Sequence, residues 1–203
     1  MVSNLLSLCK IFCSGFATRA IYGGFRADPL HGGVTPAIDL SSTYAQTAPG
    51  QLSSCMDYSR CGNPTVLALQ RNLACMEGSN YAFALNCGLS AVTACLSLLK
   101  KDDHLLTVDD VYGGTQRYLR KVFCPQTGID WTMCDMTDFE NFKKCFKKNT
   151  TMVWVESPTN PTLKCLDIKR IADFCKKRGA LLVIDNTFMS PALQVSFSNP
   201  LFD

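Results

Sequence analysis

Two carboxylates at the ends of apolar strands are the side chains of this sequence best placed to do chemistry. Leu181-Leu182-Val183-Ile184 runs apolar into Asp185, followed by Asn186-Thr187. Met152-Val153-Trp154-Val155-Glu156 ends the same way and continues into Ser157-Pro158-Thr159-Asn160-Pro161. In open α/β sheets ligands bind beyond the carboxyl ends of the strands, so both acids would face one crevice. A carboxylate there either caps the turn that follows or pairs with a cationic ring nitrogen. Glu156 and Asn160, on the neighbouring strand end, would then reach another edge of the same ring.

Two further segments would open on the same edge. Asn86-Cys87-Gly88-Leu89-Ser90 lies between an apolar stretch and a helical one, and free backbone N–H groups at a helix start suit a single phosphate. Neither Gly-x-Gly-x-x-Gly after a strand nor Gly-x-x-x-x-Gly-Lys-Ser/Thr occurs, which argues against a nucleotide-binding module. Tyr112-Gly113-Gly114-Thr115 follows Val108-Asp109-Asp110-Val111 and offers a flat ring beside backbone that a ligand can approach. A phosphate anchor, a stacking ring, an amide for a ring hydroxyl and a carboxylate for a ring nitrogen together describe a pocket for pyridoxal 5′-phosphate. The carboxylate would keep the pyridine protonated and so preserve it as an electron sink.

The elements that must position these groups alternate in type. Residues 1–60, rich in Gly, Ser, Thr and Pro, read as an extended N-terminal arm without its own core, which must lie on something, a neighbouring subunit being one candidate. Residues 61–203 read as part of a cofactor-binding large domain. Asn63-Pro64 starts a helix that Gly78 ends. Strands are predicted at Tyr81–Leu85, His104–Val108, Ile129–Met133, Met152–Glu156 and Leu181–Asp185, with helices at Leu89–Leu99, Gly114–Val122, after Thr137-Asp138-Phe139-Glu140 as a capping box, and from Asp167 to Gly179. That alternation means right-handed crossovers and a mostly parallel sheet with helices on both faces.

Composition narrows the classes. A formal net charge of +3 on 203 residues is too small to argue for nucleic acid, and no apolar run approaches the roughly 18 residues of a membrane span. Met1–Lys10 lacks the basic start of a secretory signal. Twelve cysteines never form Cys-x-x-Cys, and Cys75, Cys95, Cys145 and Cys175 fall on helical patterns as small core hydrophobes. A reduced, cytoplasmic setting follows. With only His31 and His104, no metal site is expected. Lys164 and Lys169 read as surface charges.

Tyr58-Ser59-Arg60-Cys61-Gly62-Asn63-Pro64-Thr65, Asp109 through Thr115, Glu156 through Pro161 and Asp185-Asn186-Thr187-Phe188 follow one another as they do in the Cys/Met-metabolism enzymes of transsulfuration. From about Phe16 to about Gln194 the chain resembles that pyridoxal-phosphate family, and within it most the cystathionine gamma-lyases. The resemblance implies the fold type I large domain, here in part. It implies that Gly88 and Leu89 hold the phosphate, Tyr112 stacks on the ring, Asn160 approaches the ring hydroxyl and Asp185 binds the ring nitrogen. Tyr58 and Arg60 would reach the phosphate of a neighbouring subunit in a homo-oligomer. Arg60, Tyr112 and Arg117 would face the substrate. The implied reaction cleaves L-cystathionine to L-cysteine, 2-oxobutanoate and ammonia. Cystathionine beta-lyase, cystathionine gamma-synthase and methionine gamma-lyase share these motifs.

Two departures stand out. Cys87 occupies a position usually held by serine, and a thiol is the poorer hydrogen-bonding group. The lysine that holds the cofactor covalently in this family lies further along than the sequence runs, so no catalytic residue is assigned and the chain is expected to be inactive alone. Leu201 and Phe202 suggest a replaced terminus. A noncatalytic isoform docking on full-length subunits is the alternative of another class.

Overall fold

The computed structural model describes residues 15–195, which divide into a unit up to Ala84 and a unit spanning Leu85–Gln194. Met1–Lys10, Leu201 and Phe202, which entered the reading above, lie outside the described residues.

In the first unit, helix α1 (Phe16–Tyr22) is tied to helix α2 (Pro64–Glu77) through one side chain. Asn72, buried on α2, donates from Nδ2 to the carbonyls of Arg19, Ala20 and Gly23 at 3.0–3.2 Å. These carbonyls lie at the C-terminal end of α1, where the Arg19 carbonyl also accepts the Gly23 N–H at 2.7 Å, so Asn72 reinforces the helix end from a distance. The ends of α2 are those the sequence indicated. Asn63 Oδ1 accepts from the Thr65 and Val66 amides, Pro64 opens the first turn, and Gly78 closes it in the left-handed region at φ 64°. A two-strand ribbon, β1 (Gln46–Ala48) with β2 (Gln51–Leu52), completes the unit.

The second unit is built on four strands: β3 (His104–Val108), β4 (Asp130–Cys134), β5 (Thr150–Glu156) and β6 (Leu181–Asp185). They are ordered β4-β3-β5-β6 and all parallel. Every residue of β3 is buried, and Met152 through Glu156 of β5 are buried in sequence. Side chains alternate between faces, so both faces of these central strands are covered. The cover comes from α3 (Gly88–Leu96), a continuous helical run made of α4 (Gly113–Tyr118), a π-helical turn (Leu119–Phe123) and α5 (Cys124–Thr127), then α6 (Phe139–Cys145) and α7 (Ile168–Arg178). A last short helix, α8, spans Ser190–Leu193. Cys75 and Cys175 are buried and Cys95 and Cys145 partly so, all as free thiols.

Two expectations need correction. Tyr81–Leu85 is not a strand: a strand exists only against a hydrogen-bonded neighbour, no described residue pairs with this segment, and Tyr81 and Phe83 stand 82% and 81% exposed. The cap of α6 is Asp138, whose Oδ1 accepts from the Glu140 amide. Thr137 instead bonds Asp135, and Glu140 pairs with Lys143 rather than reaching back, so the capping box does not form.

His104 is fully buried where three strands begin, with Nδ1 2.7 Å from Thr150 Oγ1 and Nε2 2.9 Å from Thr132 Oγ1. Burial, helped by the charge of Lys147 and opposed by that of Asp130, holds the ring below its ordinary pKa. A histidine depressed in the fold leaves the unfolded chain binding more protons below about 6.5. Its stabilising contribution is therefore present above that pH and lost as pH falls. We expect thermal stability to drop on acidification, and His104→Gln, also neutral, to drop less. Glu156, whose acid is raised, works in the opposite sense, so the difference between variant and parent isolates His104.

Candidate functional site

β3, β5 and β6 lie side by side, which brings their C-terminal ends, and the residues that follow them, to one sheet edge. In the β5–β6 ladder Glu156 is in register with Asp185, so the two acids are neighbours on one face. Asp185 Oδ1 accepts from the Thr187 amide at 3.1 Å and from the Thr187 hydroxyl. One carboxylate oxygen thus shapes the turn, and Oδ2 makes no hydrogen bond with the described residues. Both roles weighed for this acid are available to it at once.

Glu156 is 5% exposed and faces the scaffold rather than an open crevice. Its Oε2 accepts the Tyr112 backbone N–H at 2.8 Å, linking the end of β5 to the loop after β3. Burial first, then the charges of Asp185 and Asp110, push this acid up to about 7, against the Tyr112 and Asn160 amides that favour its ionised form. Glu156 therefore serves as a hub of loop backbone.

The loop carrying Asn160 is held by groups the sequence reading did not single out. Asp110 Oδ2 accepts from the Thr159 hydroxyl at 2.6 Å, the Thr162 amide at 2.9 Å and the Thr162 hydroxyl. Burial raises the Asp110 acid, but these bonds outweigh it and hold the carboxyl below its ordinary value. Lys164, read as a surface charge, bridges Asp109 at 2.8 Å and Asp135 at 3.4 Å with its side chain only 28% exposed. Lys169 is at the surface as expected, beside Asp173. The only cue for the clamp was an acidic pair placed just before Tyr112, with two threonines flanking Asn160.

Tyr112 begins α4 with its ring half exposed. Gly114 lies directly beneath it: a Cβ there would collide with ring atom Cε1, with Cδ1 and Cζ each at 3.1 Å, whereas a Cβ on Gly113 meets nothing within 4 Å. The two glycines are therefore not equivalent. Gly114→Ala is expected to tilt the ring and weaken ligand stacking about three- to tenfold, at the scale of one aromatic contact, while Gly113→Ala binds normally. Equilibrium binding with a melting curve on each variant checks this.

Gly88 and Leu89 open α3, and no described backbone carbonyl accepts from either amide. Space around Gly88 is open. Cys87 makes no side-chain cap. Its thiol lies 3.3 Å from the Ser90 hydroxyl, which with the Ser90 and Leu89 amides lowers its pKa against the effect of burial. Arg117 is exposed on α4. In the first unit, Arg60 lies with Cζ 4.4 Å over the Tyr58 ring, and Tyr58 bridges to Thr43. The structure thus brings together Tyr112, Asn160 and Asp185 on one edge, with Gly88 and Leu89 on a helix packed against α4, and places Tyr58 and Arg60 in the other unit. No cluster of metal-ligating side chains occurs among the described residues, nor any helix long and apolar enough to cross a membrane.

Residues 17–200 match the family described as Cys/Met metabolism PLP-dependent enzymes. The chain belongs to that family. It is 46% identical over 182 residues to putative cystathionine gamma-lyase 2 of Caenorhabditis elegans, covering 88% of this chain and 46% of the relative. It is 44% identical over 184 residues to a cystathionine gamma-lyase of Dictyostelium discoideum, covering 91% and 46%. Further relatives are named cystathionine gamma-synthase and cystathionine beta-lyase. The crystal structure of metB from Corynebacterium glutamicum superposes with a TM-score of 0.86 at 39% identity, over 90% of this chain and 48% of that one. The chain spans about half the length of these relatives. The family's cofactor is pyridoxal 5′-phosphate, and the free oxygen of Asp185, the amides of Gly88 and Leu89 at the start of α3 and the glycine-backed ring of Tyr112 fit it.

Proposed function

We propose that this chain is the cofactor-binding portion of a PLP-dependent carbon–sulfur lyase that cleaves L-cystathionine to L-cysteine, 2-oxobutanoate and ammonia in the cytoplasm. The observation that carries it is the convergence of three adjacent strand ends, placing Tyr112, Asn160 and Asp185 on one edge. The preference for gamma-cleavage rests on the two relatives named as gamma-lyases, at 46% and 44% identity. When bound, the cofactor supplies an electron sink for a carbanion beside the amino-acid nitrogen.

This chain's own residues do the holding. The Gly88 and Leu89 amides receive the phosphate at the positive end of α3, where N–H groups point outward. Tyr112 stacks on one ring face, with Gly114 setting its tilt. Asn160 faces the ring hydroxyl, on a loop fixed by Asp110. Asp185 Oδ2 keeps the ring nitrogen protonated, and Arg117 lies toward the substrate.

Tyr58 and Arg60 we assign to the phosphate of a neighbouring subunit, either a second copy or a full-length partner. Support comes from the first unit's exposed apolar side chains, with Leu30 at 83%, Ile38 at 80% and Leu40 at 89%. The test is complementation. A full-length cystathionine gamma-lyase disabled at the positions matching Tyr58 and Arg60 is co-expressed with this chain and assayed on L-cystathionine. Recovery of 2-oxobutanoate and cysteine is expected. No recovery with no mixed oligomer would overturn the docking.

A further inference from the structure

We propose that Glu156 is a positioning residue of the ring site: its carboxyl fixes the backbone at Tyr112 and Asn160, and it gives up its proton when a cationic ring nitrogen arrives at Asp185. The proposal rests on the cofactor-binding reading above and goes beyond it.

The geometry carries the argument. Glu156 is buried, makes no ion pair with the described residues, and spends Oε2 on the Tyr112 N–H. Asp185 stands beside it in ladder register, and Asp110 approaches from the loop after β3. Lys164, whose charge acts on Asp110, is engaged by Asp109 and Asp135. Glu156 thus faces acids from β6 and from the β3 loop, with only backbone amides to favour its charge. Three acids so close do not all ionise without cost, and Glu156, the most buried, is the one raised to about 7.

A pyridinium on Asp185 changes that balance. It offsets the Asp185 charge and brings a cation toward Glu156, so the carboxylic acid dissociates to carboxylate and a proton passes to solvent. An ionised carboxylate is the stronger acceptor. The bonds from the Tyr112 and Asn160 amides therefore tighten when the ring is seated. By linkage, a ligand that expels a proton binds better as pH rises.

The test uses 4′-deoxypyridoxine 5′-phosphate, which has the ring and phosphate but no aldehyde for surface lysines to trap. Calorimetry near neutral pH, in two buffers of different ionisation enthalpy, counts protons released by the full chain, by Glu156→Gln and by Glu156→Ala. Glutamine still accepts the Tyr112 N–H but holds no titrating proton. Relative to Glu156→Gln, the parent is expected to release up to about half a proton more, and its affinity to gain about three- to tenfold more across neutral pH. Glu156→Ala binds more weakly at every pH, since it loses the acceptor. A 1-deaza ring phosphate, which has no ring nitrogen, shows no excess release. Equal proton release by parent and Glu156→Gln, with binding intact, overturns the role of Glu156 and leaves the cofactor site standing. Absence of binding by any form, including the parent, overturns both.

Discussion

Asp185→Asn is expected to lower the affinity for 4′-deoxypyridoxine 5′-phosphate about tenfold to a hundredfold while leaving the fold intact. A hydrogen bond to a charged group contributes about 1.5–3 kcal/mol, and each 1.4 kcal/mol is a factor of ten in binding. Asparagine keeps an oxygen for the Thr187 amide and hydroxyl, so the turn after β6 survives and only the charge is lost. The melting temperature should therefore hold, and the 1-deaza ligand should bind parent and variant alike. Equal affinity of parent and variant for the nitrogen-bearing ring would mean that Asp185 is a turn residue alone.

Phe142→Ala is expected to destabilise the second unit by about 3–5 kcal/mol, the range for deleting a buried phenylalanine. Phe142 is fully buried on α6 and is one of four clustered rings. Its centroid is 5.6 Å from Phe139, 5.3 Å from Phe174 and 6.2 Å from Phe146, mostly edge to face. The contact with Phe174 binds this seven-residue helix to α7, and a helix that short has little stability of its own. Urea unfolding followed by Trp131 and Trp154 fluorescence reads the shift. A change under about 1 kcal/mol would mean that the cluster collapses around the gap.

Much of this fold was written in local pattern. His104–Val108 and Leu181–Asp185 are strands at the residues their apolar runs marked, and Asn63, Gly78, Asp167 and Gly179 bound their helices through side-chain caps and left-handed glycines. These are effects of near neighbours, which a sequence displays directly. Tyr81–Leu85 was misread because alternation reports a preference for a ladder, whereas forming one needs a partner. Asp110, Lys164 and the inward turn of Glu156 were not legible for a related reason. Their roles depend on residues about 50 positions away, which approach only when β3 and β5 pair. The motif positions Tyr112, Asn160 and Asp185 could be named in advance, but the group that holds two of them together could not.

A second feature competes for an anionic ligand. Lys143, Lys147, Lys148 and Arg178 line a hollow of about 310 Å³ with Phe146 and Phe174, next to the segments that lead into β5 and β6 and so at the opposite end of the strands. Amide NMR of the full chain, titrated with 4′-deoxypyridoxine 5′-phosphate, tells the two apart. Saturable shifts are expected at Gly88, Leu89, Tyr112, Asn160 and Thr187. Shifts confined to Lys143–Lys148 and Arg178, with those five amides unmoved, would contradict the assignment of the strand-end edge as the cofactor site.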